Sequence, residues 1–300
     1  MTGRNQLPRS HVVVDWVPAG DVLSVSEGLA HALRGPNFMN RRDWKFLVPL
    51  DSRDLSRLAI LLDVDGTLLD IAPTPQQVQV PGSLPQTLAR VRGRVGGALA
   101  LVSGRPIAEL DAFFAPLRLP AIGGHGAEMR PVADGAILDG RALPLDPAFK
   151  QRLKAIAAGY SGVVVEDKGY SLALHYRQAP KQGLGVVHEV KRAFDAWANN
   201  SFELLAGKAV LEIKFAGFNK GTAVRDLMTY SPFSGRAPIF IGDDRTDEDA
   251  FAVMSDFNGQ AMSVGRKFPG IEDYFNAPAD VRRWLERLSE GQPEGLAVLS

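Results

Sequence analysis

Two acidic clusters in this sequence stand where folding alone would not put them. In "LAILLDVDGTLLD", residues 58 to 70, five apolar residues run into Asp63, with Asp65, Gly66 and Thr67 close behind. In "FIGDDRTDEDAF", residues 240 to 251, a second apolar run ends on Asp243 and Asp244, followed by Asp247, Glu248 and Asp249. Neighbouring carboxylates repel, and desolvating them beside a buried strand is costly. Paired carboxylates at a strand end suit a divalent cation site, a nucleophile with a general acid and base, or a solvated turn. A calcium loop is excluded: its twelfth position needs a glutamate, and counted from Asp63 that position is Thr74. Acids in a first helical turn complement the helix dipole, which accounts for Asp247 to Asp249 but not for Asp243 and Asp244. Carboxylates converging from two strands make a hard-oxygen site suited to Mg²⁺, which retains waters and leaves room for a phosphate oxygen.

The elements that must position these acids follow a regular rhythm. "RLAILLD", "GALALVSGR", "APIFIGDD" and "GQAMSVG" read as strands, alternating with helical patterns such as "PGSLPQTLARVRG", "PIAELDAFFAP", "NKGTAVRDLMTY", "TDEDAFAVMSD" and "PADVRRWLERLSE". A short strand is expected near "LPAIGGHGAEMR". The alternation predicts an α/β fold with a doubly wound, mostly parallel sheet, whose function sits beyond the carboxyl ends of the strands, where Asp63, Ser103 and Asp243 fall. Between about Arg130 and Lys214 the order becomes helix, two strands, helix, two strands. This predicts an α+β cap of residues 131–214 inserted into a core of residues 56–130 and 215–300, with hinges near Arg130–Pro131 and Gly217–Asn219. In "PKQGLGVVHEVKRAFDAWANN" the stripe Val186, Val187, Val190, Phe194 and Trp197 is read as packing. Residues 1–55 show no clean periodicity and carry an apolar patch at Trp44, Phe46, Leu47 and Val48, expected to pack on the main body or to bind a partner.

Composition narrows the function classes. Lys plus Arg and Asp plus Glu are 34 each, so no global field recruits nucleic acid or an anionic membrane, and an anion site must be local. The absence of cysteine excludes disulfides, thiolate metal sites and a cysteine nucleophile. No apolar run approaches the roughly 20 residues of a membrane helix, and Asp15 cuts the short valine run near the N-terminus, unlike a secretory signal. The expectation is a soluble, cytoplasmic protein.

"DVDGT", "SGR", the lysine of "NKGTA" and "GDDRTDEDAF" occur in the order and spacing of the haloacid dehalogenase-like phosphatases, which the chain resembles over residues 58 to about 265. "GGHGAE" (123–128), "VEDKGYSLALHYR" (165–177) and "LEIKFAGFNKGTA" (211–223) resemble the trehalose-6-phosphate phosphatases within that superfamily. The resemblance implies a Rossmann-like core and hydrolysis of trehalose 6-phosphate through an aspartyl-phosphate. Asp63 would be the nucleophile and Asp65 the general acid and base, with Ser103 and Lys220 binding the phosphoryl group. Mg²⁺ would be held by the Asp63 carboxylate, the Asp65 main-chain carbonyl and Asp243, while Asp244 and Asp247 orient waters or the lysine, Asp247 with a route to the metal through water. Thr67 would hydrogen-bond near Asp65, and Arg105 would pair with a local acid at the substrate's edge. The sugar would meet Glu166, Lys168, Arg177 and Glu212 from the cap and His125 and Glu128 from a core loop; His175 is read as structural. Glu166 and Lys168, two apart on a strand, would share a face.

One departure is that "LEIKFAG" places Lys214 and Phe215 where many relatives have proline. Related sugar phosphatases acting on sucrose 6-phosphate or mannosyl-3-phosphoglycerate, and an idle sugar-phosphate sensor, are the alternatives. The implied partner is a small sugar phosphate, without nucleic acid or membrane; a synthase partner or a second copy is left open.

Overall fold

In the computed structural model, which describes residues 55–74, 77–138, 142–207 and 209–291, the apolar run "LAILL" forms β1 (Leu58–Leu62), fully buried along its length. Leu58, Ile60 and Leu62 enter the hydrophobic cluster on one face of the sheet, and Ala59 and Leu61 the cluster on the other. Both faces are therefore covered, as a central parallel strand requires. After β1 come α1 (Leu84–Arg94), β2 (Leu99–Val102), α2 (Ile107–Phe114), β3 (Ala121–Gly123) and β4 (Glu128–Arg130). The chain returns to the same sheet through α5 (Lys220–Leu227), β9 (Ala237–Gly242), α6 (Glu248–Val253), β10 (Gln260–Val264), β11 (Tyr274–Phe275) and α7 (Pro278–Glu290). The seven strands lie in the order β11-β10-β9-β1-β2-β3-β4, all pairs parallel except β3 with β4. The described helices include none long and apolar enough to cross a membrane.

Between β4 and α5 the chain builds a second layer: α3 (Pro147–Ala158), β5 (Val164–Asp167), β6 (Leu172–His175), α4 (Gly183–Trp197), β7 (Phe202–Gly207) and β8 (Val210–Phe215). The four strands form an antiparallel sheet in the order β5-β6-β8-β7, and its own core takes Val186 and Val190 of α4, with Val187, Phe194 and Trp197 half-buried against it. The α4 stripe is thus packing, as its helical spacing implies. Arg130, at the last position of β4, is 1 % exposed and forks onto Asp111 and the Leu119 carbonyl, so the path out of the large sheet is fixed at its core side.

Several elements differ from the sequence reading. The expected strand near residues 119–130 is an antiparallel pair, β3 and β4, because the Gly124–Gly126 turn reverses the chain. "TDEDAFAVMSD" gives only a short α6 between two 3₁₀ turns. β1 and β9 stop at Leu62 and Gly242, one residue before their acids, so the side-chain directions of Asp63, Asp65 and Asp243 come from turns and not from strand alternation. Trp44, Phe46, Leu47 and Val48 lie outside the described residues.

Candidate active site

The ends of β1, β2 and β9, which are neighbours in the sheet, bring Asp63, Ser103 and Asp243 together. The ladder continues one step past β1, with the Asp63 N–H donating to the Ile241 carbonyl at 2.9 Å, and then Gly66 turns the chain at φ +90°. A Cβ at position 66 would lie 2.3 Å from Asp243 Oδ2, so only glycine lets this turn pass over the acid. Across the sheet, Asp247 Oδ2 accepts from the backbone N–H groups of Asp243 and Asp244, at 2.9 Å each. Its Oδ1 accepts from Lys220 Nζ at 2.6 Å, and the same ammonium donates to Asp63 Oδ1 at 2.7 Å. Lys220 is the first residue of α5, held there by a reciprocal cap between Asn219 and Thr222. Thr67 donates to Asp63 Oδ2 at 3.1 Å and, more weakly, to Asp243 Oδ1 at 3.4 Å.

Burial sets the electrostatics here. Burial disfavours the Lys220 ammonium, but Asp247 and Asp63 outweigh it and hold the amine protonated far above ordinary pH. The Asp63 carboxyl is pushed up to about 7 by burial, which Lys220 offsets only in part. Carboxylate oxygens of Asp63, Asp243 and Asp247 lie within 4.8 Å of one another. Fully ionised, these groups with Lys220 would carry two net negative charges in a buried pocket, which burial alone resists by raising the Asp63 carboxyl. That imbalance, and an all-oxygen donor set, fit a hard divalent cation. Asp247 is already committed to two amides and an ammonium and is wholly buried. Asp63 and Asp243, which line the open cavity, are the better placed donors, with Asp244 beside them.

Arg105 holds Asp65 in a two-pronged ion pair, Nε to Oδ2 at 2.6 Å and Nη2 to Oδ1 at 2.8 Å, while Nη1 reaches Glu109 at 3.0 Å. The local acid expected for Arg105 therefore includes the residue read as general acid and base. The Arg105 N–H donates to Ser103 Oγ at 3.1 Å, fixing that hydroxyl at the cavity floor.

The four-stranded sheet closes the other side of a cavity of about 200 Å³. Glu166, Ala173 and Glu212 are in direct register across β5, β6 and β8, and His175 is in register with Val210; all five line the cavity. Lys168 Nζ donates to the Gly104 carbonyl at 2.8 Å and lies 3.3 Å from Glu212 Oε1, which also accepts from Ser171 Oγ at 2.7 Å. His125 Nε2 is 3.3 Å from Glu212 Oε2. Burial opposes charge on Glu212, yet Lys168 and His125 outweigh it and hold the carboxyl well below its ordinary range. For His125 burial prevails over Glu212 and lowers the imidazole, favouring its neutral form. His175 Nε2 lies 2.8 Å from Glu166 Oε2, and Arg177 donates to the Ala72 carbonyl of the loop after β1.

The structure thus gathers Asp63, Asp65, Ser103, Arg105, His125, Glu166, Lys168, Arg177, Glu212, Lys220, Asp243 and Asp244 around one cavity. Two residues read as substrate contacts lie elsewhere. Glu128 is not among the residues lining the cavity, and its Oε2 accepts from the Ile107 N–H at 2.6 Å, where an anion is favoured at the start of α2. Thr67 is fully buried beneath the carboxylates and orients them. Lys168 lies in the turn after β5 and not on the strand, although it still shares the cavity with Glu166. His175, read as structural, lines the cavity; its place two residues from Ala173 in the alternating strand β6 is the signal for it. The loop at Ile71–Thr74 also lines the cavity and carried no sequence signal.

The family model for trehalose-phosphatase matches residues 61–275. The chain belongs to the trehalose-phosphatase family. A Sinorhizobium fredii relative is 40% identical over 232 residues, covering 76% of this chain and 85% of the relative. The trehalose-6-phosphate phosphatase of Escherichia coli strain K12 is 37% identical over 234 residues, covering 78% and 87%. In fold, the C-terminal domain of the C. albicans trehalose-6-phosphate phosphatase superposes with a TM-score of 0.71 at 23% identity, over 81% of this chain and 96% of that one. The mostly parallel core with its added antiparallel layer is the family's haloacid dehalogenase-like architecture, and membership makes the chain a phosphatase.

Proposed function

We propose that the chain hydrolyses trehalose 6-phosphate to trehalose and inorganic phosphate, with Mg²⁺, through a phosphorylated Asp63. The observation that carries this reading is one cavity in which buried Asp63, Lys220 and Asp243 face the charged side chains of Glu166 and Glu212 on a second sheet. A divalent cation held by Asp63, Asp243 and the Asp65 main-chain carbonyl would neutralise charge on the phosphoryl oxygens.

In the first step an Asp63 carboxylate oxygen bonds to phosphorus as the bond to the sugar oxygen breaks, and Asp65 gives that oxygen its proton. In the second, water attacks phosphorus and loses a proton to Asp65, and the Asp63–phosphorus bond breaks. Lys220 and Ser103 bind the phosphoryl oxygens through both steps, stabilising charge as it shifts. In this structure the Arg105 fork takes both Asp65 oxygens, so for Asp65 to carry and give a proton one prong of the fork must open towards the substrate oxygen. Glu166, Lys168, Arg177 and Glu212 bind sugar hydroxyls. The cavity lies between the two sheets, so a hinge motion of one against the other would admit a disaccharide ester and close over it.

The test is phosphate release from a panel of mono- and disaccharide phosphates, with and without Mg²⁺, for the wild type and for Asp63→Asn. Trehalose 6-phosphate should be preferred, chelation should abolish turnover reversibly, and the variant should lose at least about 10³-fold in kcat. A flat response across the panel, or full activity in the variant, would overturn the proposal.

A further inference from the structure

The turn that carries Lys168 into the cavity has an outer face as well as an inner one. Alternation along β5 sends Glu166 towards the cavity and Asp167 towards α3 on the far side. There Asp167 Oδ1 accepts from Lys150 Nζ at 2.8 Å and from the Gly169 N–H at 3.0 Å, and Oδ2 accepts from Lys154 Nζ at 2.8 Å. Lys150 and Lys154 are one helical turn apart on α3, and Lys150 also donates to the Gly169 carbonyl. Both polar groups of the Gly169 backbone are therefore tied to one outer cluster. The turn needs this residue's φ of +83°, and Lys168 N–H closes it on the Ser171 carbonyl at 3.1 Å. On the inner face Lys168 and Ser171 both engage Glu212. Tyr170 packs against Gly124 of the core, but its buried hydroxyl has no hydrogen-bond partner among the described residues, so that contact adds little direction.

A lysine on a turn is a costly recognition group. Its long side chain must be ordered at each binding event unless the backbone beneath it is already fixed. Isolated exposed ion pairs contribute little, whereas a carboxylate accepting two ammoniums and an amide of the same turn is a network.

We propose that Asp167, clamped by Lys150 and Lys154 on the outside of the small sheet, is a positioning residue that presets Lys168 for the sugar end of the substrate. The proposal rests on the substrate reading above. It requires that loosening the clamp weaken binding of the sugar ester while leaving the phosphoryl chemistry untouched.

Asp167→Ala and Lys150→Ala are each assayed on trehalose 6-phosphate and on p-nitrophenyl phosphate, which has no sugar. KM for the sugar ester should rise on the order of tenfold with kcat within about twofold, and kcat/KM for the aryl ester should hold. Asp167→Glu should recover part of the loss. In a Lys168→Ala background, the further effect of Asp167→Ala should vanish, since its route is through that lysine. Equal losses on both esters, or additive effects in the double variant, would overturn the proposal in favour of a merely structural role; unchanged KM would overturn it outright. If Asp167→Ala fails to fold, Lys150→Ala decides by the same readouts. A wild type preferring another sugar phosphate would overturn the substrate reading alone, and the coupling between positions 167 and 168, read on that preferred ester, would stand or fall separately.

Discussion

At the end of the cavity proposed to take the phosphoryl group the Lys220 and Asp63 side chains keep 3% and 6% of their surface, and the partners between them are charges. At the end proposed to take the sugar His175 and Glu166 keep 23% and 16%, and two anchors are backbone carbonyls: Gly104 for Lys168 and Ala72 for Arg177. The first region is a closed charge network, in which each member is uncompensated without the others. The second mixes a more exposed His175–Glu166 pair with Glu212, which is buried among Lys168, His125 and Ser171. Damage at the first should therefore be large in both stability and rate, and damage at the second graded, with substrate binding affected and rate largely spared.

Lys220→Met attacks the first region most directly. It leaves Asp63 and Asp247 buried without their ammonium, and kcat should fall on the order of 10²–10³-fold with unfolding free energy lower by roughly 3 kcal/mol. Phosphate-release kinetics and a denaturant titration read the two effects; loss of rate with unchanged stability would separate what the comparison joins.

Glu212→Gln probes the second region, where KM for the sugar ester should rise on the order of tenfold with little change in kcat. Folding lowers the Glu212 carboxyl below its ordinary value of 4.5, because Lys168 and His125 outweigh the opposing effect of burial. Its stabilisation is thus complete above that ordinary value and is lost as pH falls towards the folded one. The stability gap between wild type and Glu212→Gln should narrow from pH 7 to pH 3. A gap that widened on acidification would contradict the ionised assignment.

The smallest effect is expected at Glu128→Ala, which removes the acceptor at the start of α2. Stability should drop by about 1 kcal/mol, with KM for the sugar ester unchanged within about twofold. A tenfold rise in KM would return Glu128 to the sugar end.

Sequence reasoning located the strand ends well, because apolar runs that stop abruptly on polar residues mark where layers stop covering the sheet. Asp63, Ser103 and Asp243 were legible for that reason. Directions beyond a strand end were not. Gly66 at φ +90° and His125 at φ +55° turn the chain in ways no periodicity encodes, so Thr67 went under the carboxylates and Asp65 into the grip of Arg105, forty positions away. Glu128 opens a strand of only three residues, too short for its alternation to be read. His175 is the converse case, since it ends β6 two residues after Ala173, and strand alternation gives the two the same face. At Lys214 β8 runs on to Phe215, and the ammonium donates to the Phe218 carbonyl at 2.5 Å.

β8 ends at Phe215 and α5 begins at Lys220, so residues 216–219 are the whole return path between the sheets. One inserted residue there would displace the first turn of α5 by up to about 3.5 Å, more than the 2.7 Å span between Lys220 and Asp63. Loops on the outer rim can lengthen or shrink without touching the reaction; this tether has its length dictated by the distance over which an ammonium must meet a carboxylate.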